Sequence, residues 1–192
     1  MGQIRGWSFY KLDVKGAFMH APLPDGMLVV VRPPQIWIEL GVVPPDTLWT
    51  LQRAVYGLRC APRAWGAERD RKLRVSVWES NGATYKLSQC TCDTQVWRLV
   101  KVGDETVTLG LLCAYVDDFL LMAPAGEMVK GLVQHLKGIW TMSTEVELSK
   151  GQPMTFVGLE MQLEDDGTLL VHQRTFARKL LQKHGADTFP NL

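Results

Sequence analysis

Two adjacent aspartates, Asp117 and Asp118, sit between two apolar, strand-forming runs, Leu109 to Val116 and Phe119 to Met122. The pattern predicts a tight hairpin with buried strands and a paired negative charge at its turn. Two like charges side by side raise each other's pKa unless a cation offsets them. Hard oxygen ligands of this kind suit Mg²⁺ or Mn²⁺. Aspartate is also a common turn former, so the pair alone admits a purely structural reading. Chemistry needs a third carboxylate and a cradle for substrate.

Asp13 is the candidate third carboxylate. It falls at the end of the strand-like stretch Trp7 to Val14, and Gly16 lets the chain turn just beyond it. From a strand terminus beside a central hairpin, a carboxylate can meet the turn pair across neighbouring strands. Two divalent ions about 3.5–4 Å apart, bridged by such groups, activate an attacking oxygen and neutralise a leaving phosphate. The structural alternative for Asp13 is a turn former or helix N-cap.

Together, Asp13-Val14-Lys15-Gly16-Ala17-Phe18 and Tyr115-Val116-Asp117-Asp118 resemble the paired catalytic motifs of reverse transcriptases, in particular those of copia-type LTR retrotransposons. Three more segments match in order. Ala54-Val-Tyr56-Gly57-Leu-Arg59-Cys-Ala61-Pro62-Arg63-Ala-Trp65 resembles the family's YGL-x-x-APR-x-W segment. Phe156-Val157-Gly158-Leu159-Glu160 is similar to its primer-grip strand, and Gly167 to Gln173 to the hairpin after it. The likeness spans roughly residues 7 to 187.

The resemblance implies an RNA-directed DNA polymerase that transfers a nucleotide from a dNTP to a primer 3′-OH, with two Mg²⁺ or Mn²⁺ ions as cofactors. It implies an α+β fold, a ferredoxin-like polymerase palm: an antiparallel sheet with helices on one face, partial fingers and little or no thumb. Residues 1–192 would be that partial palm domain. The Pro-rich 20–50 would be an insertion of fingers or palm, and 165–192 the start of the connection to the thumb.

Asp13, Asp117 and Asp118 would be the catalytic, metal-binding triad, and the Val14 carbonyl would complete one ion's shell. Gly16 and Ala17 would offer N–H groups to the triphosphate. Phe18 would lie beneath the incoming sugar and disfavour a 2′-OH; Tyr56 and Gly57 would pack on the nucleotide. Arg59, Tyr115, Phe156, Val157 and Gly158 would contact template or primer. The implied partners are an RNA and DNA template-primer, dNTP, and the rest of a Pol polyprotein with fingers, ribonuclease H and integrase; no membrane. Transposition and DNA integration would be the setting, inside the cell, in cytoplasmic virus-like particles and the nucleus. The competing expectation is a catalytically inactive palm remnant that binds nucleic acid or protein.

The elements that must position these residues are legible from pattern. A strand ends at Asp13, and six prolines between Pro22 and Pro45 break up the next stretch around a strand from Met27 to Val31. A helix is predicted from Pro62 to about Val77, with proline in its first turn. The region from Gln95 to Val102, a Gly103-Asp104 turn and a strand from Val107 to Tyr115 lead into the hairpin. Gly126 to Trp140 reads as an amphipathic helix with Val129, Leu132, Val133, Leu136 and Trp140 on one face. Thr155 to Leu163 would be the closing strand, Asp165-Asp166-Gly167 a turn, and Arg174 to His184 a last helix. Strand–helix–strand–strand–helix–strand is the ferredoxin-like order.

Composition sets bounds. With 192 residues, 46% of them hydrophobic, one sizeable core is possible. A net charge of +1 does not point to nucleic acid by itself. Local charge is more pronounced: Arg59, Arg63, Arg69, Arg71, Lys72 and Arg74 face only Glu68 and Asp70, six cations less two anions leaving +4. Arg174 to Lys183 is also basic, whereas Arg5 and Lys11 are the only basic residues ahead of Asp13. The four cysteines form neither a disulfide framework nor a zinc pair, since Cys90-Thr-Cys92 has no second pair at zinc spacing. No secretory h-region is evident, and the longest apolar run is broken by the two aspartates.

Overall fold

A computed structural model describes residues 6–186; Arg5 and residues 187–192 lie outside it. The elements in chain order begin with strand β1 (Trp7–Asp13), a 3₁₀ turn (Ala17–His20), β2 (Val30–Val31), helix α1 (Gln35–Glu39), β3 (Trp49–Thr50) and α2 (Ala61–Arg74). Strands β4 (Val77–Ser80), β5 (Ala83–Gln89), β6 (Val96–Lys101), β7 (Gly110–Tyr115) and β8 (Asp118–Pro124) follow, then α3 (Glu127–Ile139). Last come β9 (Val146–Glu147), β10 (Met154–Phe156), β11 (Leu159–Leu163), β12 (Leu169–His172) and α4 (Arg174–Lys183). The chain divides into two compact units, one built from its beginning up to Lys15 together with the part from Ser76 onward, the other from Gly16–Val75.

The first unit is a mixed α/β fold on a seven-stranded sheet of order β4-β5-β6-β7-β8-β1-β9. Every neighbouring pair is antiparallel. Strand β8, interior to the sheet, is apolar from Phe119 to Pro124 because both of its faces are covered. On one face Phe119 and Leu121 join Leu12, Leu112 and Ala114, all fully buried, and the apolar stripe of α3 supplies Leu132 and Leu136. The Phe119 ring meets Trp140, just past α3, edge-on at 5.8 Å. On the other face Leu120 packs with Phe9, Leu148, Met154 and Met161.

Helix α3 is pinned at its start by Trp78 of β4, whose indole N–H donates to the Met128 carbonyl at 3.0 Å. Gly131 makes room for that ring: a Cβ there would lie 2.9 Å from Trp78 Cδ1.

Three elements depart from the sequence expectation. Thr155 to Leu163 is not one closing strand: it folds back at Val157-Gly158, and β10, β11 and β12 form a separate three-stranded sheet. Both turn residues have positive φ, 49° and 77°, as a two-residue type I′ hairpin requires. The short β9 takes the edge position beside β1 instead. The hairpin β4–β5 was not expected; it turns through Asn81-Gly82, again with both φ values positive. Finally, only Val30–Val31 of the expected strand from Met27 is extended and paired, with β3.

The second unit holds the 3₁₀ turn, β2, β3, α1 and α2. Trp65 and Leu73 of α2 are buried within the protein, and the imidazole of His20 lies 6.3 Å from the Trp65 ring. Arg53 ties the unit's loops together by donating to the His20 carbonyl at 2.8 Å. Part of the basic run on α2 is paired within the helix, which keeps a net positive charge. Arg69 is buried beside Asp70 at 2.8 Å, and Arg71 and Lys72 both reach Glu68, at 2.8 and 4.0 Å. These pairs hold the Glu68 carboxyl below its usual range, with the Arg71 hydrogen bond the largest cause.

Candidate active site

Asp13 and Asp118 are direct cross-strand partners where β1 pairs with β8, and Asp118 is also opposite Tyr115 across the β7–β8 hairpin. Paired residues share a face of an antiparallel sheet, so Tyr115, Asp118 and Asp13 form one row across three strands. Asp117 sits in the two-residue turn that precedes Asp118. Its carbonyl accepts the Val14 N–H at 2.9 Å, which joins the hairpin tip to the chain just beyond β1. Residues about a hundred positions apart in the sequence thus meet at one end of the sheet.

The turn is strained. Val116 has φ of 50°, a region that β-branched side chains rarely enter. Such a conformation costs on the order of 1–3 kcal/mol and persists only when the surroundings impose it. Here the β7–β8 register and the Val14–Asp117 hydrogen bond impose it.

Asp13 is held from the side opposite β8 by the segment that leaves α3. The Asp13 N–H donates to Ser143 Oγ at 2.9 Å, and the Ser143 N–H donates to the Asp13 carbonyl at 2.8 Å. Val14 forms an isolated antiparallel bridge with Met142, and the Lys15 N–H donates to the Thr141 carbonyl at 2.9 Å. Val14 itself is fully buried.

The electrostatics follow from this crowding. Partial burial raises the Asp13 carboxyl above its ordinary range, and the charges of Asp117 and Asp118 push it further; Lys11 and Lys15 pull the other way. Lys11, two residues before Asp13 and so on the same face of β1, lies 3.0 Å from Asp118 Oδ1. Its ammonium also donates to the Thr155 carbonyl of β10 at 3.1 Å. Among the described residues, no three His, Cys, Asp or Glu side chains are gathered closely enough to hold a metal ion. The three carboxylates share a region and an electrostatic field but do not converge into a ligand set. The donor chemistry fits a hard divalent cation, and Asp118 is paired to Lys11.

The remaining residues singled out by sequence fall in two places. In the first unit, Tyr115 is exposed at the end of β7. Phe156 packs against the buried cluster around Phe9 and Leu120, while Val157 and Gly158 form the tip of the β10–β11 turn. In the second unit, Gly16 adopts the left-handed conformation, φ 63°, ahead of the 3₁₀ turn that contains buried Ala17. Phe18 and Tyr56 stack obliquely with ring centroids 4.7 Å apart, and the Tyr56 side chain is exposed. Gly57 also has positive φ, 95°, and Arg59 is exposed. Sequence reasoning did not find Ser143 or the role of Lys11. Strand alternation carried a signal for Lys11; nothing local marked Ser143.

The family model and the curated relatives point to one family. The family model for reverse transcriptase (RNA-dependent DNA polymerase) matches residues 1–189. The chain is similar to the retrovirus-related Pol polyproteins from transposons RE2 and RE1 of Arabidopsis thaliana. Over 179 residues it is 28% and 27% identical to them, covering 93% of this chain and 11% of each polyprotein. It is 23% identical over 179 residues to a transposon Ty5-1 protein of Saccharomyces cerevisiae, covering 93% of this chain and 51% of that protein. The chain therefore spans about half of the yeast relative and a small part of each plant polyprotein. Among solved structures it is similar to apo telomerase from Candida tropicalis truncated from the C-terminal domain. That likeness has a TM-score of 0.42 and 14% identity, over 86% of this chain and 35% of the other. No helix among the described residues is long and apolar enough to cross a membrane.

Proposed function

The chain belongs to the reverse transcriptase (RNA-dependent DNA polymerase) family of copia-type elements, and on that premise we propose that it is the palm-centred part of an enzyme that extends a primer on an RNA template. The seven-stranded sheet with α3 is the ferredoxin-like palm in this reading. Residues 20–50 are the insertion of fingers or palm. The connection to the thumb starts at 165, although 187–192 lie outside the described residues. The observation that carries the reading is the register of β1 with β8, which sets Asp13 opposite Asp118 with Asp117 in the adjoining turn.

Asp13 and Asp117 would hold two Mg²⁺ or Mn²⁺ ions, with the Val14 carbonyl as a further oxygen. Bound there, such ions supply charge neutralisation at the transferring phosphate and acidify the primer hydroxyl. The rest is positioning. Ser143 fixes Asp13 at both backbone atoms, so the carboxylate starts from one place. Backbone N–H groups of Gly16 and Ala17 offer an anion-binding concavity to a triphosphate, helped by the left-handed Gly16. Phe18, braced by Tyr56, presents a flat ring to a deoxyribose, where a 2′-OH would clash. Gly57 gives the nucleotide close access to backbone. Tyr115, Phe156, Val157, Gly158 and Arg59 guide primer and template. The chain matches 11% of each Pol polyprotein relative, which supports a segment of a longer product; in this reading fingers, ribonuclease H and integrase accompany it.

A second reading has its own observation. No three ligating groups converge among the described residues, which favours a folded, non-catalytic module that binds nucleic acid or protein. Primer extension on an RNA template separates the two, run with Mg²⁺ or Mn²⁺ on the chain joined to the fingers and thumb of a relative. The polymerase reading expects metal-dependent incorporation of dNTP that disappears in Asp117→Asn. Incorporation that survives Asp117→Asn overturns the mechanism. No incorporation in any chimera, with the fold intact, leaves the non-catalytic module.

A further inference from the structure

We infer that Lys11 is the resident counter-cation of the acidic face, a positioning residue that holds Asp118 in an ion pair and leaves Asp13 and Asp117 to receive metal, a statement that rests on the polymerase reading above. Strand geometry puts the ammonium there. Lys11 and Asp13 share a face of β1, and Asp118 lies opposite Asp13, so Lys11 reaches Asp118 diagonally across two strands at 3.0 Å. A freely solvated pair of this kind would mean little. This one is fixed from a second side, because the same ammonium donates to the Thr155 carbonyl at 3.1 Å. Both side chains are more than two-thirds buried, 29% and 27% exposed.

The pair explains why the three carboxylates do not form a ligand set. Asp118 already has its cation, with its Oδ1 3.0 Å from the Lys11 ammonium. Lys11 thereby does two things at once. It relieves like-charge repulsion across the β1–β8 register, which otherwise sets two carboxylates directly opposite each other. It also lowers the negative charge that a divalent ion meets, so the ion binds less tightly than an uncompensated triad would bind it. Through Thr155 the same side chain links the hairpin tip to the β10–β11 hairpin that carries Phe156, Val157 and Gly158.

Mn²⁺ binding to the full chain, read as loss of the free-ion signal in electron paramagnetic resonance, tests this without catalysis. Removing a unit positive charge about 6 Å from a divalent ion raises its affinity by about tenfold where water screens the pair almost fully. Lys11→Gln is therefore expected to bind Mn²⁺ about tenfold more tightly than wild type. Adding Asp118→Asn to Lys11→Gln should return the affinity to near the starting value, because the freed carboxylate is the source of the gain. Lys11→Arg keeps the pair and should stay within about twofold of wild type. If Lys11→Gln unfolds, Lys11→Met keeps an unbranched stem over the sheet and serves in its place. Unchanged affinity in Lys11→Gln or Lys11→Met overturns the inference about Lys11, provided wild type binds Mn²⁺ and Asp13→Asn weakens it. A wild type that takes up no Mn²⁺ overturns the metal site itself, and the inference with it.

Discussion

Ser143 grips Asp13 at both backbone atoms, accepting the Asp13 N–H at its hydroxyl and donating its own N–H to the Asp13 carbonyl. The two contacts, 2.9 and 2.8 Å, anchor the end of β1 to the segment leaving α3. Ser143→Ala would strip the first and leave a partly buried N–H without its partner. The expected loss is about 1–2 kcal/mol of stability by denaturant unfolding, with a fall in primer extension larger than that loss accounts for.

Asp13→Asn should separate stability from activity. Asp13 faces Asp118 directly, and burial with two neighbouring carboxylates penalises its charge. Removing that charge relieves the repulsion, so stability should rise by roughly 0.5 kcal/mol, the scale of a cross-strand charge pair. Extension in the chimera should vanish. A thermal melt beside a primer-extension assay reads both; a less stable Asp13→Asn would contradict the repulsion described here.

Val116 carries the strain of the hairpin. Asparagine tolerates the left-handed region far better than valine does, so Val116→Asn should stabilise the chain by about 1 kcal/mol. In a chain of this size that corresponds to a rise in Tm of roughly 2–4 °C. A lower Tm would show that the valine side chain contributes packing that outweighs its backbone cost.

His135 sets an acid limit. Its Nε2 is buried without a hydrogen-bond partner, the ring lies 6.4 Å from Trp78, and burial lowers its pKa below the ordinary imidazole value. The unfolded chain thus takes up a proton before the folded one does. Its contribution is fully present above the ordinary histidine pKa and is lost as pH falls below it toward the lowered, folded value. Tm should drop between pH 7.5 and 5.5 in wild type, and drop less in His135→Leu.

The parts of this fold that were legible in the sequence are those whose signal is local. The paired aspartates between apolar runs specified the β7–β8 hairpin, and the 3.6-residue stripe from Val129 to Leu136 specified α3. Asn81-Gly82 is also a strong hairpin signal, but the flanking Ala83–Gln89 is half-buried and mixed in polarity, so no alternation accompanied it. The break at Val157 runs against local preference, since valine at φ 49° is unfavourable and only Gly158 hints at a turn. Which strand lies beside β1 was not legible, because β9 is two residues long and its place is set by the Leu148 N–H donating to the Phe9 carbonyl. At the site, the three aspartates were found through residue type and family resemblance. Alternation along β1 put Lys11 on the face of Asp13, but its pairing with Asp118 and the contact from Ser143 join segments far apart in the chain, which spacing does not encode.

In the proposed mechanism Asp13 and Asp117, distant along the chain, serve one metal site. Mn²⁺ titration of Asp13→Asn and Asp117→Asn, each checked for an intact fold, tests it most directly. Both variants should lose at least about tenfold in Mn²⁺ affinity relative to wild type. Wild-type affinity in Asp13→Asn beside weakened binding in Asp117→Asn would contradict it, since the hairpin tip would then bind metal without β1.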